Sequence, residues 1–145
     1  MAIPARRTLP KESIEAECTR RGKQAVISGC ISLLAGEGAD DGLIAALGVG
    51  ATAVLADREG GRGGYWPRVW AARGLLHLWD ERAAAAVIGA TEDEHWRVRE
   101  MAAKVIARYR LSDGMDSVLG LRADPVPRVR AAAQRAVTLM TASRS

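Results

Sequence analysis

One short phrase occurs three times in the second half of the chain: Pro67-Arg68-Val69, Trp96-Arg97-Val98 and Pro127-Arg128-Val129. The copies lie 29 and 31 residues apart, and each opens an alanine-rich segment of helical pattern. A period of this size belongs to stacked helical hairpins, because a lone hairpin cannot bury its apolar face and must lean on its neighbour. The phrase therefore predicts an all-α chain built as a short α-solenoid of antiparallel hairpins, rather than one centred globular core. Within it the first residue starts a helix, the valine enters the core and the arginine stays free.

Each copy has its own start signals and apolar face. In the first, Pro67 suits an opening turn, which a proline tolerates because no N–H is needed there. Val69, Ala72, Leu76 and Trp79 then share a face, and Asp80 is placed to cap a returning helix over residues 83–89. The second has Thr91-Glu92-Asp93-Glu94, a capping-box pattern, ahead of Val98, Ala102, Val105 and Tyr109. Its partner helix comes after Ser112-Asp113 and carries Met115, Val118 and Leu119. The third starts at Asp124-Pro125, puts Val129, Ala133, Ala136 and Met140 inward, and shows no partner helix before a polar tail. Small inward residues such as Ala102 and Ala133 let helix axes approach closely, so that neighbouring repeats share a core.

The first half lacks the phrase. Residues 1–9 read as a lead-in. A helix is predicted from Pro10 through Ile14 and Cys18 to Arg21, ended by Gly22. A second covers residues 23–35 with Val26, Ile27, Cys30, Ile31 and Leu34 on a wide apolar face. Asp40 or Asp41 caps the next segment, and residues 43–56, interrupted by Gly48 and Gly50, form two short helices or one broken one. Leu43, Ile44, Leu47, Val54 and Leu55 point inward there. Gly60-Gly61-Arg62-Gly63-Gly64 is a flexible linker, with no Gly-Lys-Ser or Gly-Lys-Thr to make it a phosphate loop. Residues 10–141 are thus expected to form one solenoid domain, with 10–59 a divergent repeat and cap, 65–141 the repeats, and 142–145 a tail.

The stretches Asp93-Glu94-His95-Trp96-Arg97-Val98-Arg99 and Asp124-Pro125-Val126-Pro127-Arg128-Val129-Arg130 each precede an alanine-rich helix. They resemble the HEAT-like repeats of the type named after phycobilisome lyases. That resemblance implies helical hairpins stacked into a curved α-solenoid that serves as a protein-binding scaffold. The copy at Pro67 departs from the pattern, with Gly64 at the acidic position and Trp70 in place of an arginine. No lyase residue can be carried over. The residues also have a structural reading: Asp93 and Asp124 stand before helix N-termini, where a carboxylate satisfies free N–H groups. Arg99 and Arg130 lie one turn in and can bridge to the aspartate of a neighbouring repeat, building a structural ladder.

Composition narrows the function. The chain carries a net charge of +4, all of it from residues 65–145, where 13 basic side chains outnumber nine acidic ones. Alanine and arginine are abundant, lysine is scarce and phenylalanine absent, a skew expected of GC-rich, bacterial coding. Cys18 and Cys30 have no neighbouring cysteine or histidine and read as small buried hydrophobes. No secretory signal is visible, and the apolar runs at 25–36 and 42–56 are shorter than the roughly 20 residues of a membrane-spanning helix. A cytoplasmic location is the resulting expectation. His77 and His95 sit in no metal-ligand spacing and no nucleophile elbow is present. No catalytic residue, metal or cofactor is therefore expected, and a non-enzyme is.

Two groups remain as candidates for contact with a partner. Arg68, Arg97 and Arg128 share one position of the phrase, and Lys104 and Arg135 lie seven residues beyond the last two, making a basic stripe. Trp66, Trp70 and Trp96 cluster beside it, and tryptophan with arginine dominates protein-binding hot spots. These residues point to a protein-binding adaptor with a Trp/Arg-lined surface. The alternative is a nucleic-acid-binding module whose stripe tracks phosphates and whose indoles stack bases. Trp66 and Trp96 can equally seal the groove between repeats as core, with Trp79 core in either case. Oligomeric state is left open, since the third repeat lacks a second helix.

Overall fold

The computed structural model describes residues 9–48 and 64–142. The readings made for residues 1–8, for 49–63 (Val54, Leu55 and most of the glycine stretch) and for 143–145 lie outside the described residues. Those described form eight α-helices joined by turns and short 3-10 segments, with no strand among them.

The first helix, α1 (Pro10–Arg21), opens on its proline, and Glu12 at the start and Arg20 and Arg21 at the end complement its dipole. Gly22 ends it at φ 89°, a left-handed value that costs other residues energy, and α2 (Lys23–Leu34) begins at once. Asp40 caps α3 (Asp41–Leu47) by accepting from the amides of Gly42 and Leu43. Arg21 joins that cap to α1 by pairing with both Asp40 and the buried Glu17. Next comes Gly48, where a Cβ would lie 2.8 Å from the Trp70 ring. The backbone runs against the indole there, and any larger residue would force the two apart.

In the second half, α4 (Trp66–Gly74) is followed by a 3-10 turn (Glu81–Ala83) that Asp80 caps and that leads into α5 (Ala84–Gly89). Then α6 (Trp96–Tyr109) is answered by α7 (Met115–Leu121), and α8 (Pro127–Ala142) comes last. The helices that open successive repeats lie side by side, α2 against α4, α4 against α6 and α6 against α8, while α7 also packs on α8. One continuous core runs from Ile14 and Ile27 through Trp70, Leu75 and Val87 to Ile106, Val118, Val129 and Ala133. This is a short α-solenoid.

Burial recurs at 31 residues throughout. Val98, Ala102, Ala103 and Ile106 are fully buried, and the residues 31 earlier, Pro67, Ala71, Ala72 and Leu75, are buried as well. A step of 29 would instead match the buried Ala102 and Ile106 to the half-buried Arg73 and the exposed His77. The phrase Pro67-Arg68-Val69 is therefore two residues out of register with Trp96-Arg97-Val98, its likeness being local. In the true register Arg68 corresponds to Arg99 and Arg130, and Trp66 to Arg97 and Arg128.

Other details differ from the sequence reading for local reasons. Helix α4 stops at Gly74, so Leu76 and Trp79 lie beyond its end and are only partly buried. Trp79 stacks on Tyr109 at 4.3 Å instead of filling the core. On α2 it is Leu33 that is buried, with Ile31 half-buried, and on α7 Leu121 is buried where Leu119 is partly covered. No capping box forms at residues 91–94. Thr91 belongs to the 3-10 turn Ala90–Glu92 that prolongs α5, and its hydroxyl donates back to the Ile88 carbonyl at 2.6 Å.

Ala102 and Ala133 are both 0% exposed at the contact between α6 and α8. Replacing either with leucine forces extra methylenes into a closed site and should cost about 1–3 kcal/mol. Thermal melts of A102L and A133L check this, and curves that overlay the parent for both would show that the two helices do not meet at these residues.

Candidate functional site

The N-terminal ends of α4, α6 and α8 lie in a row and are tied together by arginines. Arg68 of the first repeat donates from Nε to Asp93 at 2.8 Å and from a terminal nitrogen at 3.2 Å. Arg99 of the second treats Asp124 identically, at 2.8 and 3.3 Å. Both pairs span 25 residues, as the 31-residue register requires. Each aspartate also accepts a backbone amide at the start of its own helix, His95 at 2.8 Å and Val126 at 2.9 Å. Arg99 further donates to the carbonyls of Asp93 and Glu94, and Arg130 to those of Asp124 and Pro125. The four ladder candidates thus occur as one Arg99–Asp124 bridge, an Asp93 taken by Arg68, and an Arg130 that closes its own loop.

Beside the ladder, aromatic rings alternate with cations. The Arg97 guanidinium lies 5.1 Å from the Trp66 ring and 4.7 Å from the Trp96 ring, and Arg128 lies 5.2 Å from Trp96. Arg128 is held in place by Glu100, whose oxygens accept at 2.9 and 3.2 Å. Glu100 is 7% exposed, and its position on the inward side of α6 is what marks it as the partner. Tyr65 stacks on His95 at 3.4 Å, and His95 in turn on Trp96.

This geometry corrects the expected contact surface. Trp66 and Trp70 are each 2% exposed. They are core, with indole N–H groups that meet no acceptor among the described residues, and offer no surface to a partner. Trp96 is half-buried between two guanidiniums. Nor does the arginine row stay free: Arg68 and Arg128 are neutralised by carboxylates and Arg97 is stacked between rings. The physical reason is the register, which places the three arginines at two different repeat positions.

Of the stripe, Arg128 is exposed but paired with Glu100, whereas Lys104 and Arg135 stand exposed with no ion pair among the described residues. They lie 31 residues apart, with Arg73 a further 31 before them. Arg73 went unnoticed because the out-of-step phrase hid its equivalence. It is half-buried and donates to the Leu47 carbonyl at 2.6 Å. Lys104 and Arg135 face a groove of about 420 Å³ between α6 and α8, lined also by Leu76, Ala107, Arg108, Arg110, Ala132 and Leu139. Its lining contains no carboxylate, and none of its four cations enters an ion pair among the described residues. Beside it, burial and then the fields of Arg108, Arg73 and Lys11 push the His77 pKa down, outweighing Glu15.

No group of three or more His, Cys, Asp or Glu that could hold a metal ion occurs among the described residues. Cys30 is buried, which drives its thiol pKa up to about 12 and leaves it inert as a nucleophile. No helix among the described residues is long and apolar enough to cross a membrane. The family model for HEAT repeats matches residues 65–138. No curated protein and no solved structure matches the chain.

Asp124 has a side chain 6% exposed. Burial alone would raise its pKa, but Arg99, the Val126 amide and Arg130 hold it below the ordinary carboxylate value. Truncation to alanine strands Arg99 and leaves the Val126 amide before α8 without its acceptor, and should cost on the order of 3 kcal/mol. In a double-mutant cycle by urea denaturation the R99A/D124A pair should lose clearly less than the two single losses added together. Strict additivity would mean that the bridge contributes nothing.

His95 supplies a second check. Its Nδ1 accepts the Arg97 amide at 3.1 Å, so the ring caps α6 only while neutral. Burial and Arg97, aided by Arg68 and Arg99, lower its pKa against the pull of Asp93. The unfolded chain therefore takes up this proton near pH 6.5 while the folded one resists it to lower pH. Stability should be level above that pH and fall as the pH drops below it. In H95N, which keeps a capping side chain, denaturation midpoints between pH 5 and 7, roughly, should vary less than in the parent; equal slopes would remove His95 as the source.

Proposed function

The chain belongs to the HEAT-repeat proteins, and from that premise we propose that it is a non-enzymatic scaffold that binds a segment of another protein, with residues 10–141 acting as one domain. One observation carries this reading. The polar side chains at the N-terminal ends of the repeat helices are consumed by one another, whereas the groove between α6 and α8 keeps four cations with no carboxylate beside them among the described residues. A ladder of this kind supports the helices and leaves the stretch of α6 and α8 beyond it available. Lys104 and Arg135 belong to this surface; the indoles expected to line it do not.

A nucleic-acid-binding role has less support. Arg68 and Arg128 are neutralised, Trp66 and Trp70 are buried, and the lining of the groove includes no aromatic ring among the described residues on which a base could stack.

Selection from an unbiased library of displayed peptides against the immobilised protein tests the scaffold reading. Enrichment of a peptide family that binds the purified protein in solution is the expected outcome. Failure to enrich any peptide, together with tight oligonucleotide binding that falls steeply with added salt, would replace this reading with the nucleic-acid one.

A further inference from the structure

We infer that the groove between α6 and α8 is a docking site for an acidic amphipathic segment of a partner protein, one that presents aliphatic side chains to the floor and carboxylates to the rim. The inference rests on the scaffold reading and names the chemistry of its partner. The floor is made by Leu76, Ala107, Ala132 and Leu139, and the rim by Lys104, Arg108, Arg110 and Arg135. Each repeat contributes: Leu76 comes just after α4, residues 104–110 end α6, and Ala132, Arg135 and Leu139 share one face of α8.

Three observations favour this occupant. First, the charge is of one sign. Lys104 and Arg135 are exposed and no carboxylate among the described residues lines the groove, so its described lining repels a basic ligand and attracts an acidic one. Second, the floor between those cations is apolar, and a phosphate backbone would leave Leu76 and Leu139 unused where an aliphatic side chain would cover them. At about 420 Å³ the space accepts a few side chains of a single segment rather than the face of a folded domain. Third, this chain's own residues 1–8 carry Arg6 and Arg7 and no acid, which does not match the rim. The groove also lies over the second half of α6 and the middle of α8, away from the ladder. Its side chains can therefore be changed without touching the bridges that hold the repeats in step.

The test uses the whole chain and three labelled synthetic peptides read by fluorescence anisotropy. One places leucines three and four apart among glutamates, the second scrambles that order, and the third replaces its glutamates with lysines. The first should bind best, the scramble at least several-fold more weakly and the lysine peptide not at all. The charge reversal K104E/R135E alters two exposed residues, should melt like the parent, and should weaken the first peptide about tenfold or more. L139D should weaken it too, by spoiling the floor. Equal binding of the three peptides, or an unchanged affinity in K104E/R135E, would overturn the inference. So would an oligonucleotide or a fatty acid that displaced the peptide more effectively than unlabelled peptide does. If library-selected peptides bind but are neutral or basic and insensitive to K104E/R135E, this inference falls while the scaffold reading stands; if no peptide of any kind binds, both fall.

Discussion

The arginine–aspartate bridge between successive repeats is the interaction on which the arrangement depends. Asp93 and Asp124 each do two things at once: they accept the amide of the residue just before a new helix, and they accept a guanidinium from the repeat before. Arg99 adds a third link through the carbonyls of its own loop. A guanidinium and a carboxylate join through two parallel hydrogen bonds of fixed geometry, so a bridge of this kind sets both spacing and orientation. Apolar packing alone is less particular, because alanine-rich faces can slide along one another at small cost. The bridges leave one register in which the buried faces of α4, α6 and α8 coincide.

That arrangement divides the molecule chemically along its helices. At the N-terminal ends, cations are spent on aspartates, on Glu100 and on the faces of Trp66 and Trp96. Further along α6 and α8 the cations of the groove have no carboxylate beside them among the described residues of its lining. Arg108 stands in the last turn of α6, where the helix dipole favours positive charge, but Lys104 and Arg135 stand earlier in their helices, so the dipole does not account for four cations around an apolar floor. A scaffold needs this separation, since residues that hold repeats in step cannot also be free to meet a partner.

Much of the fold was legible in the residues. The helix break at Gly22, the cap at Asp40, and the inward positions of Val98, Ala102, Val129 and Ala133 come from propensity and periodicity, which are local properties. The site was less so. Trp66 and Trp70 looked like surface anchors because tryptophan is common in interfaces, yet burial depends on what packs above a residue, and the second half of a sequence does not announce that Gly48 will lie against Trp70. The first copy of the phrase misled for a related reason. Three matching residues outweighed the spacing of the rest, which hid Arg73 and set Arg68 beside the wrong partners.

By itself the sequence determined the class of architecture: helical hairpins, a period near thirty residues and a small-residue seam between them, because each of these is written in neighbouring positions along the chain. Only the tertiary structure decided which arginines are free. A charge is available or spent according to what lies within a few ångströms of it, and for Arg68, Arg99 and Arg128 that neighbour stands 25 to 28 residues away. The exposed Lys104 and Arg135 were in view from the beginning, but the carboxylate-free groove between them exists only once α6 and α8 are side by side.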